Sequence, residues 1–265
     1  MLPSSGRSVL HVGQRSGKMP SRGKQGKASR RHEAWRRRLY LPSYTVLEAA
    51  RLVQVHRNTL SSWYAARPSW GGRGQLRVLD QRQPGASLSY MDLVEAAFVA
   101  GFRSLNVSLS NIRVAHDHLR KHFRVDYPFA QLKLQTEGKH VLYELSDKEA
   151  GEHLRSLFRV EASRIGQLVW AEPIEHRFMQ FDYDPALGLA IRWFPRGRSC
   201  PVVVDPQIQF GEPVLKDSRV PTWVIRSRWS AEEPLGAIAE DFGIELSAIR
   251  HALIFEGVAE SAIAA

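Results

Sequence analysis

With Cys200 as its single cysteine in 265 residues, the chain can build neither an intramolecular disulfide framework nor a zinc site of clustered thiolates. That usage suits a reducing cytoplasm. No apolar run approaches the roughly 20 residues that cross a bilayer, so no membrane association is expected. The N-terminal segment lacks the apolar core of a secretory leader, and export is not expected either. Also missing are a glycine-rich phosphate loop, an H-E-x-x-H pair and a nucleophile elbow. His116, Asp117 and His118 form an HDH run, but on a helix His116 and His118 point to nearly opposite sides, leaving only His118 and His122 on one face. Two imidazoles without a third ligand make a poor metal site. The acids Glu172, Glu175, Asp182 and Asp184 stand around a Pro/Gly turn, where carboxylates are ordinarily solvated rather than catalytic. Neither enzymatic activity nor a cofactor or metal is expected.

What the chain has in excess is positive charge. Of the 37 Lys/Arg and 27 Asp/Glu, eleven and one fall in residues 1–39, which leaves 26 of each sign in the remainder. The whole excess of +10 therefore sits in the tail. Rich in Gly, Ser, Lys and Arg, residues 1–39 cannot bury enough apolar surface to fold alone and are expected to be disordered, adding sequence-blind, salt-sensitive attraction to phosphate. Met19 offers an alternative start. Beyond the tail, a 43% hydrophobic and 24% charged composition is that of a soluble globular protein with room for two modest domains.

The segment YTVLEAARLVQVHRNTLSSWYAAR, Tyr44 to Arg67, reads as a helix-turn-helix. Thr45 and Glu48 have capping-box spacing just before an apolar run. Ala49 and Ala50 keep the first helix thin, so that a second can cross it after a turn at Gln54 to His56, with Leu47, Val53, Val55, Leu60 and Trp63 as the shared core. The outward positions fall on Arg57, Asn58, Thr59, Ser61 and Ser62. Arg suits guanine, Asn suits adenine, and hydroxyls reach phosphates, so this face has the side chains of a groove reader. An ordinary helical hairpin remains the alternative at this point. Arg67, the bend at Gly71, Gly72 and Gly74, and then Arg73 and Arg77 have what a wing beside the duplex would need. Ser89 and Asp92 then cap a helix with Leu93, Ala96, Ala97 and Ala100 on one side that ends near Gly101, and Ser108 caps another carrying Ile112, Ala115 and Leu119. Alternation on both sides of Glu137-Gly138 in YPFAQLKLQTEGKHVLYEL predicts a β-hairpin.

In TVLEAARLVQVHRNTLSSW and LSYMDLVEAAFVAGFRSLNVSLSNIR, taken in that order, the chain resembles the MerR type of DNA-binding domain over residues 44–122. The resemblance implies a winged helix-turn-helix that binds inverted repeats as a symmetric homodimer. His56 stands where that family commonly has a small polar residue, and the wing segment is longer than usual.

Residues 147–165 read as an amphipathic helix with Leu154, Leu157 and Phe158 inward, followed by two strands turned at Asp184-Pro185 and Gly188. From Cys200 on, PVVVDP reads as a strand, and QFGEPVL and SRVPTWVI as further extended pieces. Ser230 and Glu233 are placed to open a helix whose face is Ile238, Ala239 and Phe242; Gly243 breaks it, and Ile249 and Leu253 line a second helix. The expected fold is mainly α with short β-hairpins. It divides into a basic tail at 1–39, a MerR-like winged helix-turn-helix domain with a hairpin at 40–146, a connector at 147–198, and a smaller helix-turn-helix domain at 199–259.

The block DPQIQFGEPVLKDSRVPTWVI followed by IAEDFGIELSAIRHAL resembles a small family of formerly unknown function that occurs alone or as the C-terminal half of VapB-like antitoxins. Joined to a MerR-like half, it implies a type II antitoxin. Such a protein represses its own operon at operator DNA and neutralises a PIN-like ribonuclease toxin encoded beside it, in the cytoplasm and on the nucleoid. The alternative is a stand-alone MerR-like regulator without a toxin. Glu245, Ser247, Arg250 and His251 on the second C-terminal helix carry mixed charge, poor for approaching phosphate, so DNA reading is assigned to Arg57, Asn58, Thr59, Ser61, Ser62, Arg67, Arg73 and Arg77. A PIN-like active site is acidic and metal-binding. Arg226 and Arg228, expected in the connection after the strand block, are candidate cations to plug it.

Overall fold

The computed structural model describes residues 34–64, 67–68, 75–76, 79, 86–146, 152–161 and 167–263. The body they form is mostly helical with small antiparallel sheets. The expectation of disorder for the basic tail lies outside the described residues up to 33. Its last residues do not behave as a tail, because 34–38 are helical and Leu39 is fully buried, its carbonyl accepting the Met91 N–H at 3.1 Å.

Helix α1, Val46–Val53, opens with the complete Thr45–Glu48 capping box and ends at Gln54 in the left-handed conformation. Helix α2, Arg57–Tyr64, crosses it. Ala49 and Ala50 are buried at the crossing, with Leu52, Val53, Leu60, Trp63 and Tyr64. Leu47, expected in that core, is instead 46% exposed. Between the two helix pairs, β1 (Arg67–Pro68) runs antiparallel to β2 (Gln75–Leu76).

Helix α3, Tyr90–Ser104, is the hub. Ser89 and Asp92 form its capping box, and the helix runs through Gly101, where the sequence suggested an end, because it is packed on every side. Leu93, Val94, Phe98 and Phe102 are buried, each contributing roughly 1.5–3 kcal/mol by leaving water. Helix α4, Leu109–Phe123, is capped by Ser108 and buries Ile112, Ala115, His116 and Leu119. Between these helices lies a buried ion pair. Glu95 Oε2 is 3.1 Å from His116 Nε2, and Glu95 Oε1 accepts the N–H groups of Phe129 at 2.8 Å and Ala130 at 3.1 Å.

The hairpin expected around Glu137-Gly138 is a helix. A π-helical turn at Leu134–Gly138 continues into α5, Lys139–Leu145. Leu134, Gly138 and Leu142, four apart, form the inward stripe, and a Cβ on Gly138 would lie 2.9 Å from Leu134 Cδ1. That glycine marks close packing rather than a turn. Similarly, the helix expected at 147–165 is only a short α6, Glu152–Arg155; Phe158 opens β3, Phe158–Glu161, opposite Trp170 of β4, Gln167–Trp170. Their rings lie 5.3 Å apart. Residues 147–151 and 162–166 of that expectation are outside the described set.

After α7, Glu172–Met179, strands β5 (Phe181–Asp184), β6 (Leu189–Trp193), β7 (Val202–Val204) and β8 (Pro213–Leu215) form one antiparallel sheet in sequence order. Asp184 Oδ1 accepts the Ala186 and Leu187 N–H groups in the predicted β5–β6 turn. Phe98, Phe181 and Trp193 stack through the core at 5.5 and 5.6 Å. The expected border at 198/199 cuts this sheet, since Trp193 pairs with Val204 and Val204 lies in the main core.

SRVPTWVI is not a strand beyond Pro221, which bridges Val214 and then caps helix α8, Thr222–Ser230. Thr222 and Ile225, three apart, face inward while Trp223 faces out, a helical spacing. Ser230 closes this helix instead of capping the next, and Pro234 caps α9, Leu235–Phe242. Gly243 ends α9 as predicted, in the left-handed conformation, and α10, Leu246–Phe255, follows, then α11, Glu260–Ile263. Ile225, Ile238, Ile249 and Leu253 pack with Val202, Leu215 and Cys200, so the lone thiol is a core group.

Burial opposes the charge of His116, but Asp117 and Glu95 outweigh it and push the imidazole up to about 9, while burial raises the Glu95 carboxyl. A cation with a raised pKa adds stability that is complete below the unfolded value near 6.5 and is lost as pH rises through about 9. Urea unfolding of the parent and His116→Gln should therefore differ most near pH 6, by on the order of 3 kcal/mol, with the gap narrowing by pH 9.5. A gap that stays constant across that range would show that the pair is not charged.

Candidate functional site

The α1–α2 pair holds one polar face in the open. His56 fills the N-cap of α2: its carbonyl accepts the Leu60 N–H at 3.0 Å and its Nδ1 accepts the Asn58 N–H at 3.2 Å. The departure at His56 is thus a cap, with the ring doing what a small hydroxyl does elsewhere. Arg57, Asn58, Thr59 and Ser61 are exposed, while Leu60, Trp63 and Tyr64 on the opposite side are buried. Ser62 is half-buried, and its hydroxyl donates to the Thr59 carbonyl at 2.7 Å. Of the wing residues, the described backbone of Arg67 lies in β1; Arg73 and Arg77 lie outside the described residues.

Of the four carboxylates named for chemistry, Glu172 is exposed, 3.9 Å from His176, and the other three are occupied structurally. Asp182 is 2.6 Å from Arg198 and 3.5 Å from Arg192, Glu175 is 3.4 Å from Arg159, and Asp184 holds its turn. His118 and His122 stack at 6.4 Å on the outside of α4. Among the described residues no group of three His, Cys, Asp or Glu is placed to hold a metal.

Both plug candidates sit on α8 rather than in a connection. Arg228 pairs with Glu233 and, at 2.6 Å, with Asp241, and lies over the Phe242 ring, so its guanidinium is committed to joining α8 and α9. Those two carboxylates hold it firmly protonated. Arg226 donates to the Glu256 carbonyl at 2.8 Å and remains half-exposed.

The turn between β7 and β8 makes the contact that sequence reasoning missed. Asp205, buried and paired with Arg192 at 2.8 Å, accepts the Gln207 N–H on its other oxygen. Gln209 and Phe210 are left-handed, and Gly211 follows at φ +89°. The Tyr44 hydroxyl, 167 positions earlier, donates to the Gly211 carbonyl at 2.8 Å. A Cβ on Gly211 would stand 2.2 Å from that hydroxyl oxygen, so both the backbone and the approach require glycine. Arg38 lies over the Phe210 ring at 4.9 Å. This contact seats α1 beside the C-terminal helices and leaves a cleft of about 870 Å³ between them, with Glu48, Arg51, Phe210, Trp223 and Arg226 among its walls. The only sequence signal was the G-x-P-V-L turn itself.

Substituting Gly211→Ala should lower stability by about 1–3 kcal/mol in denaturant melts through the strained φ alone. Tyr44→Phe should cost about 1 kcal/mol. Because the two share one contact, the double variant should fall short of the sum; strict additivity would show that the contact is not made.

A family model described as "Protein of unknown function (DUF433)" matches residues 202–255, from β7 to the end of α10. The chain is 30% identical over 228 residues to a Mycobacterium tuberculosis protein named "Putative antitoxin VapB45", covering 82% of this chain and 94% of that protein. It also superposes on the crystal structure of Rv2018 from Mycobacterium tuberculosis with a TM-score of 0.65 at 27% identity, over 80% of this chain and 98% of the other. By its identity and coverage, the chain belongs to the VapB45-like antitoxin family.

Proposed function

We propose that the protein is a type II antitoxin that represses its own operon by placing α2 in the major groove of operator DNA, and that it neutralises a PIN-like ribonuclease toxin encoded beside it. Family membership supports the antitoxin role in general. The observation carrying the DNA-reading half is the face of α2, where Arg57, Asn58, Thr59 and Ser61 stand exposed on a helix whose other side is locked into the core. An Arg and an Asn one residue apart near a helix N-terminus match the side-chain types that read guanine and adenine edges. Two helix pairs flanking the short β1–β2 pair support a MerR-like winged arrangement, in which Arg67, Arg73 and Arg77 grip phosphates. A homodimer would present two such helices about one DNA turn apart. The mixed charge exposed on α10, with Glu245 beside Arg250 and His251, favours protein contact there.

Toxin contact is assigned to the C-terminal half. Of the two arginines, Arg226 is the more exposed and is held by Glu256 alone, whereas Arg228 holds two carboxylates.

In gel shifts on the promoter fragment, Arg57→Ala and Asn58→Ala should each cost roughly 1–3 kcal/mol and relax sequence choice. Arg73→Ala should weaken binding to every duplex alike and flatten the salt dependence. Parental affinity and selectivity in all three variants would remove α2 from the DNA interface.

A further inference from the structure

Two large aromatic side chains stand in the open at the cleft: Phe210 is 72% exposed and Trp223 is 54% exposed. Covering either would take a large apolar face out of water. Phe210 is held outward by a left-handed backbone at φ 55°, a conformation costly for a bulky residue.

The charged groups of the walls divide into two kinds. The carboxylates are engaged from within. Glu48 accepts the Thr45 N–H at 2.7 Å and its hydroxyl at 2.8 Å, Glu212 accepts the Trp223 indole N–H at 2.8 Å, and Glu256 accepts the Thr222 hydroxyl. Of the guanidiniums, Arg226 is held by Glu256, but two others are open. Among the described residues, neither the Arg51 nor the Arg196 side chain has a hydrogen-bond or ion-pair partner; Arg196 lies over the Phe255 ring at 5.6 Å and near the Cys200 thiol. Arg38 adds a further cation beside Phe210. Open Arg forks beside exposed aromatic faces are the ingredients of a protein hot spot, with the forks shaped for carboxylates.

We propose that this cleft receives an acidic segment of the partner toxin, its carboxylates on Arg51 and Arg196 and an apolar side chain laid over Phe210 and Trp223. The proposal rests on the antitoxin reading and reverses the direction of the plug: the partner's acid enters this chain. Single-stranded nucleic acid would use similar groups, but it stacks bases on successive faces along a continuous cationic groove. Here the cations share a cleft with three engaged carboxylates, Glu48, Glu212 and Glu256, which disfavours a phosphate chain.

The test uses the full chain and the purified product of the adjacent reading frame in a titration calorimeter. Arg51→Glu combined with Arg196→Glu should weaken the complex at least tenfold, and Trp223→Ala several-fold. Lys121→Glu, an exposed charge reversal on α4, should leave it unchanged. Melting curves on the same samples establish that the variants are folded, and Arg51→Gln serves if the double reversal is not. Tight binding of the parent with no loss in the cleft variants overturns the cleft proposal and leaves the antitoxin reading standing. No binding by the parent overturns both. Binding of an oligouridylate that the double reversal abolishes would assign the cleft to nucleic acid, and that also overturns the proposal.

Discussion

The hydrogen bond from Tyr44 to the Gly211 carbonyl fixes how the two ends of the molecule meet. Tyr44 closes the segment that leads into α1, bridges Leu88 at the start of α3, and is itself buried. Gly211 ends the left-handed turn after Asp205. Neither residue could be exchanged freely, because the hydroxyl needs an acceptor out of water and the carbonyl is reachable only where no Cβ intervenes. The consequence is that the helix pair proposed to read DNA and the helices proposed to grip a toxin share a wall. A ligand in the cleft touches α1 directly, and α1 is packed on α2.

Behind that contact, the rigidity of the body comes from α3. A helix buried on all faces cannot tolerate an uncompensated charge, yet Glu95 sits in its middle. Two backbone N–H groups of the 129–130 turn and the His116 imidazole surround the carboxylate, so one residue of α3 organises α4 and the segment that leads to α5. Its burial raises the cost of losing either partner well above that of a surface pair. The stacked series Phe98, Phe181, Trp193 then carries the same helix into the sheet.

The sequence was most informative where structure is local. Thr45–Glu48, Ser89–Asp92 and Ser108 cap the helices they were predicted to cap, and the Asp184 turn and the Gly243 break stand where expected, because each is a contact within three residues. Errors came where two periods compete. Leu134, Gly138 and Leu142 satisfy a helix, while the same stretch also alternates, and only packing under α4 decides. Phe158 turned into a strand because Trp170 lies opposite it, a partner that local pattern cannot supply. Ser230 and Glu233 had capping spacing, but Arg228 takes the Glu233 carboxylate. The polar face of α2 was legible from its spacing. The cleft was not, since its walls come from residues near 50, 200, 210, 225 and 255.

The two surfaces differ in form as well as in place. The open face of α2 is a convex row of short polar groups and one Arg, with no large apolar side chain among Arg57, Asn58, Thr59 and Ser61. Such a row gains little by excluding water and depends on donor and acceptor matching, which a groove edge supplies and a protein core does not. The cleft is concave and carries exposed Phe210 and Trp223, whose apolar area gains only when covered. On the reading proposed, DNA affinity should therefore fall steeply with salt, while the cleft complex, which adds covered aromatics to two ion pairs, should fall less. That contrast follows from where this chain spends its apolar surface, since α2 sends Leu60, Trp63 and Tyr64 inward and the β7–β8 turn holds Phe210 out.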